Sequence, residues 1–105
     1  MQVLMVTFGL DGVSEAEYYR GCDEEAQAFA DVPGMIAKVW LADPGTNTYG
    51  GIYTFRDAGS LEDYLASDLF RSIKEADEFS EVAVQRFAAL EGPTRITHGW
   101  SLQPA

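Results

Sequence analysis

Four short apolar runs punctuate this chain. Between them lie two stretches in which apolar residues return at helical spacing. Met1 to Phe8 is apolar and rich in β-branched types, which predicts a strand ended by Gly9, Asp11 and Gly12. Ser14 and Glu17 have the spacing of a capping box. Tyr18 or Tyr19, Cys22, Ala26 and Phe29 then share one helical face, while Glu17, Asp23 and Glu24 fall away from it, so an amphipathic helix runs to Pro33-Gly34. Met35 to Ala42 reads as a second strand, Asp43 to Thr48 as a turn and Tyr49 to Phe55 as a third strand. The short loop favours an antiparallel hairpin. Ser60 and Asp63 give another capping signal, with Leu61, Tyr64 and Leu65 on one face. Ser67-Asp68 restarts the helix with Leu69, Phe70 and Ile73 as its apolar side. Phe79 to Phe87 alternates as a fourth strand, and Arg95 to Trp100, after Gly92-Pro93, reads as a short further one.

The order β-α-β-β-α-β predicts an α+β domain spanning residues 1–105, a four-stranded antiparallel sheet with helices on one face. The other face carries enough apolar residues to require a cover, and a second copy laid sheet to sheet supplies one. A hydrophobic content of 47% is rich for a lone chain of 105 residues and points the same way.

Charge narrows the partners. Seven basic against seventeen acidic residues leave a net charge of -10, which repels phosphate backbones and anionic membranes. No apolar run approaches the ~20 residues that span a bilayer. Val3 to Phe8 is too short for a secretion signal and has no basic segment before it, so the expected location is cytoplasmic. One cysteine, Cys22, excludes an internal disulfide, and its place on the apolar helix stripe suits a small core side chain. One histidine and one cysteine, far apart, make no metal-ligand cluster.

The segment KVWLADPGTNTYGGIYTF, Lys38 to Phe55, concentrates the candidate chemistry. Alternation places Lys38 and Trp40 on one side of strand two. Trp40 offers an apolar plane and one donor, to a ligand or to the core. Lys38 reads as a snorkelling or salt-bridging lysine. Asp43-Pro44-Gly45 suits a tight turn, and Thr46, Asn47 and Thr48 either cap its backbone or form a polar rim for a ligand oxygen. Gly50-Gly51 implies close backbone approach, a bulge or a ligand, and the Walker lysine of a phosphate loop is absent. Tyr53 and Phe55 share a face of strand three. With Phe8, Trp40, Tyr19, Phe29, Tyr64 and Phe79 they either line a cavity for a flat molecule or pack the core. His98 is the sole histidine, a proton carrier if an acid meets it and a surface or dimer-edge residue otherwise. Asp57, Asp68 and Arg86 enter a site only if folding gathers them.

Pro33-Gly34-Met35 through Lys38-Val39-Trp40, and Thr46-Asn47-Thr48-Tyr49-Gly50-Gly51-Ile52-Tyr53-Thr54-Phe55-Arg56-Asp57, resemble the YdhR-type monooxygenase family. That family belongs to a dimeric α+β barrel group that includes cofactor-free, quinone-forming oxygenases. The resemblance implies a ferredoxin-like monomer, a homodimer through apposed sheets, and a cavity between sheet and helices that admits a small aromatic compound. It maps Trp40, Asn47, Tyr49, Gly51 and Tyr53 onto the family's recurrent hairpin residues. A histidine that several relatives carry in the short helix near Tyr64 to Phe70 is missing here.

The reading is therefore a cofactor-independent monooxygenase of a small aromatic or quinol-like substrate. Asn47, Tyr53 and His98 are its candidate catalytic residues, and Trp40, Tyr49, Gly51, Phe55 and Tyr64 its candidate substrate-binding residues. Alternatives on the same fold are a non-catalytic small-molecule-binding or stress-related protein, and an isomerase. A haem-degrading enzyme would have only His98 to offer an axial bond.

Overall fold

The computed structural model describes residues 1–99. Strands β1 (Gln2–Leu10), β2 (Met35–Asp43), β3 (Thr48–Phe55) and β4 (Phe79–Ala88) form one sheet in the order β2-β3-β1-β4, each neighbouring pair antiparallel. Helix α1 (Glu15–Ala30) connects β1 to β2, and α2 (Ala58–Leu65) with α3 (Asp68–Glu75) connects β3 to β4. This is the expected ferredoxin-like monomer with its helices on one face.

The expected barrel is not formed. The sheet is open, and its edge strands β2 and β4 do not pair with each other. They lie three strand spacings apart, roughly 14 Å, and four strands give too little curvature to bring them together. The tail also differs from expectation. Glu91–Ile96 is a helix, α4, where the sequence suggested a strand from Arg95, and Trp100 lies outside the described residues. Pro93 stands in the first turn, where its missing N–H costs nothing, and Thr94 and Thr97 donate backbone bonds to Leu90 and Pro93.

Helix starts follow local capping chemistry. Ser14 and Glu17 form the capping box of α1. The cap of α2 is Asp57, not Ser60: its carboxylate accepts from the Ser60 backbone N–H at 2.7 Å. That bond holds the Asp57 carboxyl below its usual range. Ser67 caps α3 by accepting from the Phe70 N–H at 3.2 Å.

The core fills the space under the helices. Leu4, Val6 and Phe8 of β1 and Tyr49, Tyr53 and Phe55 of β3 are buried against Phe29, Leu61, Tyr64 and Phe70. Three rows of the opposite face carry no charge, and Asp43, opposite Thr48, stands at the end of that face. Its register aligns Ala37, Thr54, Val3 and Phe87 in one row, Val39, Ile52, Met5 and Gln85 in the next, and Leu41, Gly50, Thr7 and Ala83 in a third. Phe87 is 52% exposed there and Val39 39%. Gly50 is obligatory where β3 meets β1: its φ is +138°, and an added Cβ would lie 1.9 Å from the Val6 carbonyl oxygen.

Candidate functional site

A cavity of about 360 Å³ opens between the sheet, α1 and α3. Phe8, Lys38, Trp40 and Tyr53 form its sheet side, and Tyr18, Cys22 and Phe29 come from α1. Leu69 and Ile73 of α3 and Phe79 of β4 close the far wall, while the exposed Glu17, Glu25 and Glu78 border it. A second hollow of about 380 Å³, between α1 and β2, shares Tyr18, Cys22 and Trp40 with the first. The helical stripe read from the sequence explains the α1 wall, because Tyr18, Cys22 and Phe29 all belong to it. The hairpin register explains the floor: Lys38 pairs with Tyr53 and Trp40 with Gly51, so the Lys38, Trp40 and Tyr53 side chains project toward the helices.

Lys38 is the unusual occupant. Its Nζ lies 3.4 Å from the ring centroid of Phe29, 3.4 Å from that of Trp40 and 4.6 Å from that of Tyr53. Among the described residues it makes no ion pair, so the salt-bridging role expected from the sequence is not observed. Gly51 makes room for it: a Cβ there would stand 2.8 Å from Lys38 Cε. Burial among rings penalises the ammonium and brings the amine down to about 7, with the nearby Cys22 thiol opposing the shift.

The neighbouring hydroxyls move the other way. Burial pushes Tyr53 up to about 12, partly offset by the hydrogen bond that Tyr64 donates to it at 3.2 Å. Burial raises the Tyr18 hydroxyl, and burial raises the Cys22 thiol. At neutral pH the cavity therefore holds protonated phenols, a thiol, and one amine poised between its two forms.

The sequence-predicted residues divide into three sets. Tyr53 and Trp40 line the cavity, and Trp40, at 36% exposed, is within reach of a ligand. Gly51 shapes it from behind Lys38. Phe55 and Tyr64 are core residues packed beyond Tyr53, with ring centroids 6.3 Å and 5.2 Å from it. Tyr49 is buried against Tyr18 at 5.1 Å.

Asn47 and His98 stand elsewhere. Asn47 has φ 51°, and its side-chain amide both accepts from the Leu10 N–H at 3.2 Å and donates to the Leu10 carbonyl at 3.1 Å, tying the hairpin turn to the end of β1. His98 follows α4 in the exposed C-terminal turn and does not line the cavity. Arg86 and Glu62 form an ion pair between β4 and α2, and Arg71 pairs with Asp68 at 3.0 Å, so these charges are engaged outside the cavity. Among the described residues, no three His, Cys, Asp or Glu gather as metal ligands. No helix there is long and apolar enough to cross a membrane.

Lys38, Phe29, Tyr18 and Cys22 are cavity residues that the sequence did not single out as a group. The available signal was parity: a lysine sharing the strand face of Trp40, opposite Tyr53 across the hairpin, must point where those rings point.

A family model described as "Putative mono-oxygenase ydhR" matches residues 3–100. Solved structures with the same fold include SnoaB, a cofactor-independent oxygenase from Streptomyces nogalater, at 24% identity and TM-score 0.65, covering 86% of this chain and 94% of that one. The NE2512 protein of unknown function from Nitrosomonas europaea aligns at 16% identity and TM-score 0.70, covering 85% and 88%. The heme-degrader MhuD from Mycobacterium tuberculosis, with two hemes bound in its active site, aligns at 11% identity and TM-score 0.68, covering 86% and 96%. At these identities the likeness shows the fold. No curated protein matches the chain.

Proposed function

The chain belongs to the ydhR mono-oxygenase family, and from that premise we propose that it oxygenates a small hydroxylated aromatic or quinol-like compound without a cofactor. The carrying observation is the cavity of about 360 Å³ walled by Phe8, Phe29, Trp40, Tyr53 and Phe79. Its size falls in the range of small-molecule sites, and its rings match a flat substrate in both shape and polarity. Trp40 and Phe29, with ring centroids 5.2 Å apart at 83°, offer one face and one edge to such a molecule. Tyr53, held protonated, donates a hydrogen bond to a substrate oxygen. The reaction needs an electron-rich substrate anion that gives electrons to O₂ inside a water-poor space, and the apolar walls favour that exclusion of water. SnoaB, described as a cofactor-independent oxygenase, supports the reading by its shared fold.

The test is O₂ uptake by pure, metal-stripped protein with a panel of hydroxylated anthrones and quinols across pH 6 to 9. Consumption well above the protein-free blank is expected, with Trp40→Ala reducing it. No acceleration with any compound would overturn the proposal, and tight binding of an unchanged ligand under air would favour a binding protein instead.

We also propose that the apolar rows of the other sheet face are covered by a second copy of this chain. Each copy carries a charge of -10, and along these three rows two copies can meet without opposing like charges.

A further inference from the structure

We propose that Lys38 is the base of this site: its amine takes the hydroxyl proton of the bound aromatic, and the ammonium so formed holds the resulting phenolate. The proposal rests on the oxygenase reading above and supplies the step which that reading requires, formation of the substrate anion. In that step the substrate O–H bond breaks and its electron pair stays on oxygen. The amine lone pair forms the new N–H bond. One proton moves and no electron is transferred.

Three geometric observations converge on this residue. Lys38 lines the cavity, on the side formed by the sheet. Its amine lies over three rings, at 3.4 Å, 3.4 Å and 4.6 Å from the Phe29, Trp40 and Tyr53 centroids, which accept a cation weakly, and among the described residues it makes no ion pair. Gly51 leaves open the space beside the lysine stem, where an added Cβ would stand 2.8 Å from Cε.

The titratable groups facing it leave the amine as the natural proton acceptor. From α1 come Glu17, Tyr18, Cys22 and Glu25, from β3 Tyr53, and from the turn before β4 Glu78. Leu69, Ser72 and Ile73 of α3 add no titratable group. The three glutamates are exposed. The phenols and the thiol are held protonated by burial, whereas the amine is brought down to about 7, so at pH 8 it is mostly neutral and available. A phenolate formed beside it gains a charge-assisted bond in a low-dielectric pocket, which an ether of the same shape cannot make.

The probe is 2-naphthol, compared with 2-methoxynaphthalene, under argon at pH 8, so that no oxygen chemistry enters. Wild-type protein is expected to bind the naphthol with the absorption spectrum of the naphtholate and at least about tenfold more tightly than the ether. Calorimetry in two buffers of different ionisation enthalpy should show little proton release, because Lys38 keeps the proton. Lys38→Met should bind both compounds alike, with the naphthol in its neutral form. Lys38→Arg should bind naphtholate but release the proton to buffer, since a guanidinium does not accept one. A neutral naphthol spectrum in the wild-type complex, equal affinity for naphthol and ether, or no binding would each overturn the assignment without using a variant. Naphtholate binding with no O₂ uptake by any substrate would leave the base in place and remove the oxygenase reading alone.

Discussion

An ammonium wedged among three rings loses hydration that cation–π contact restores only in part, so the charge on Lys38 opposes folding. The consequence for stability has a definite sign. The free side chain titrates at 10.5 and the folded one at about 7. Between these values the unfolded chain binds more protons, so stability rises with pH across that window, and the penalty is fully present below it. The slope from one such group is at most about 1.4 kcal/mol per pH unit. Urea unfolding of the wild type between pH 6 and 9.5, set against Lys38→Met, isolates this contribution. The variant is expected to be the more stable of the two at pH 6, with the difference shrinking steadily toward pH 9.5. A constant difference across the range would show that Lys38 is not desolvated in solution. Asn47 plays a structural part instead. Its amide is spent on both backbone groups of Leu10, so it acts by fixing the hairpin turn.

At the level of elements, the cavity depends on where α3 begins. Ser67 stops α2 and starts α3, accepting from the Phe70 N–H at 3.2 Å, and the next turns deliver Leu69 and Ile73 to the cavity wall. Ser67→Ala should cost about 1 kcal/mol of stability and raise amide exchange first in residues 68–75. Exchange that rose uniformly over the chain would place the loss elsewhere. The break at Ser67-Asp68 was legible in the sequence because capping is local chemistry, as were α1 and the hairpin, whose periodicities are local too. Two elements were misread for a related reason. Ser60 looks like a cap, yet Asp57 reaches the Ser60 N–H first. Arg95 to Trp100 has strand-like residues, but Pro93 fits a first helical turn, and the backbone bonds of Thr94 and Thr97 follow from it. The candidate site was legible only in its hairpin half. Alternation put Lys38 with Trp40, but the aromatic cage needs Phe29 of α1 and the space left by Gly51, a meeting of distant segments that spacing along one strand does not encode.

For the whole molecule, the two faces of the sheet pose different problems. Helices cover one; the other presents Val3, Met5, Val39, Leu41, Ile52 and Phe87 with no charged residue in its three rows. Ile52 and Met5 are paired at the centre, on the two interior strands. A carboxylate placed there would be harmless on a surface bathed by water, but in a sheet-to-sheet pairing it would be buried facing its symmetry mate, which costs several kcal/mol in order of magnitude. The proposed homodimer therefore predicts that wild-type protein sediments as two copies at micromolar concentration and has a melting temperature that climbs with concentration. Ile52→Asp should sediment as single chains, with a melting temperature that is lower and independent of concentration. Far-ultraviolet dichroism then separates dissociation from unfolding, since the variant should keep the wild-type spectrum. If the wild type itself runs as a single chain, or Ile52→Asp leaves a dimer intact, the apolar rows are not the contact and this face meets something other than a second copy.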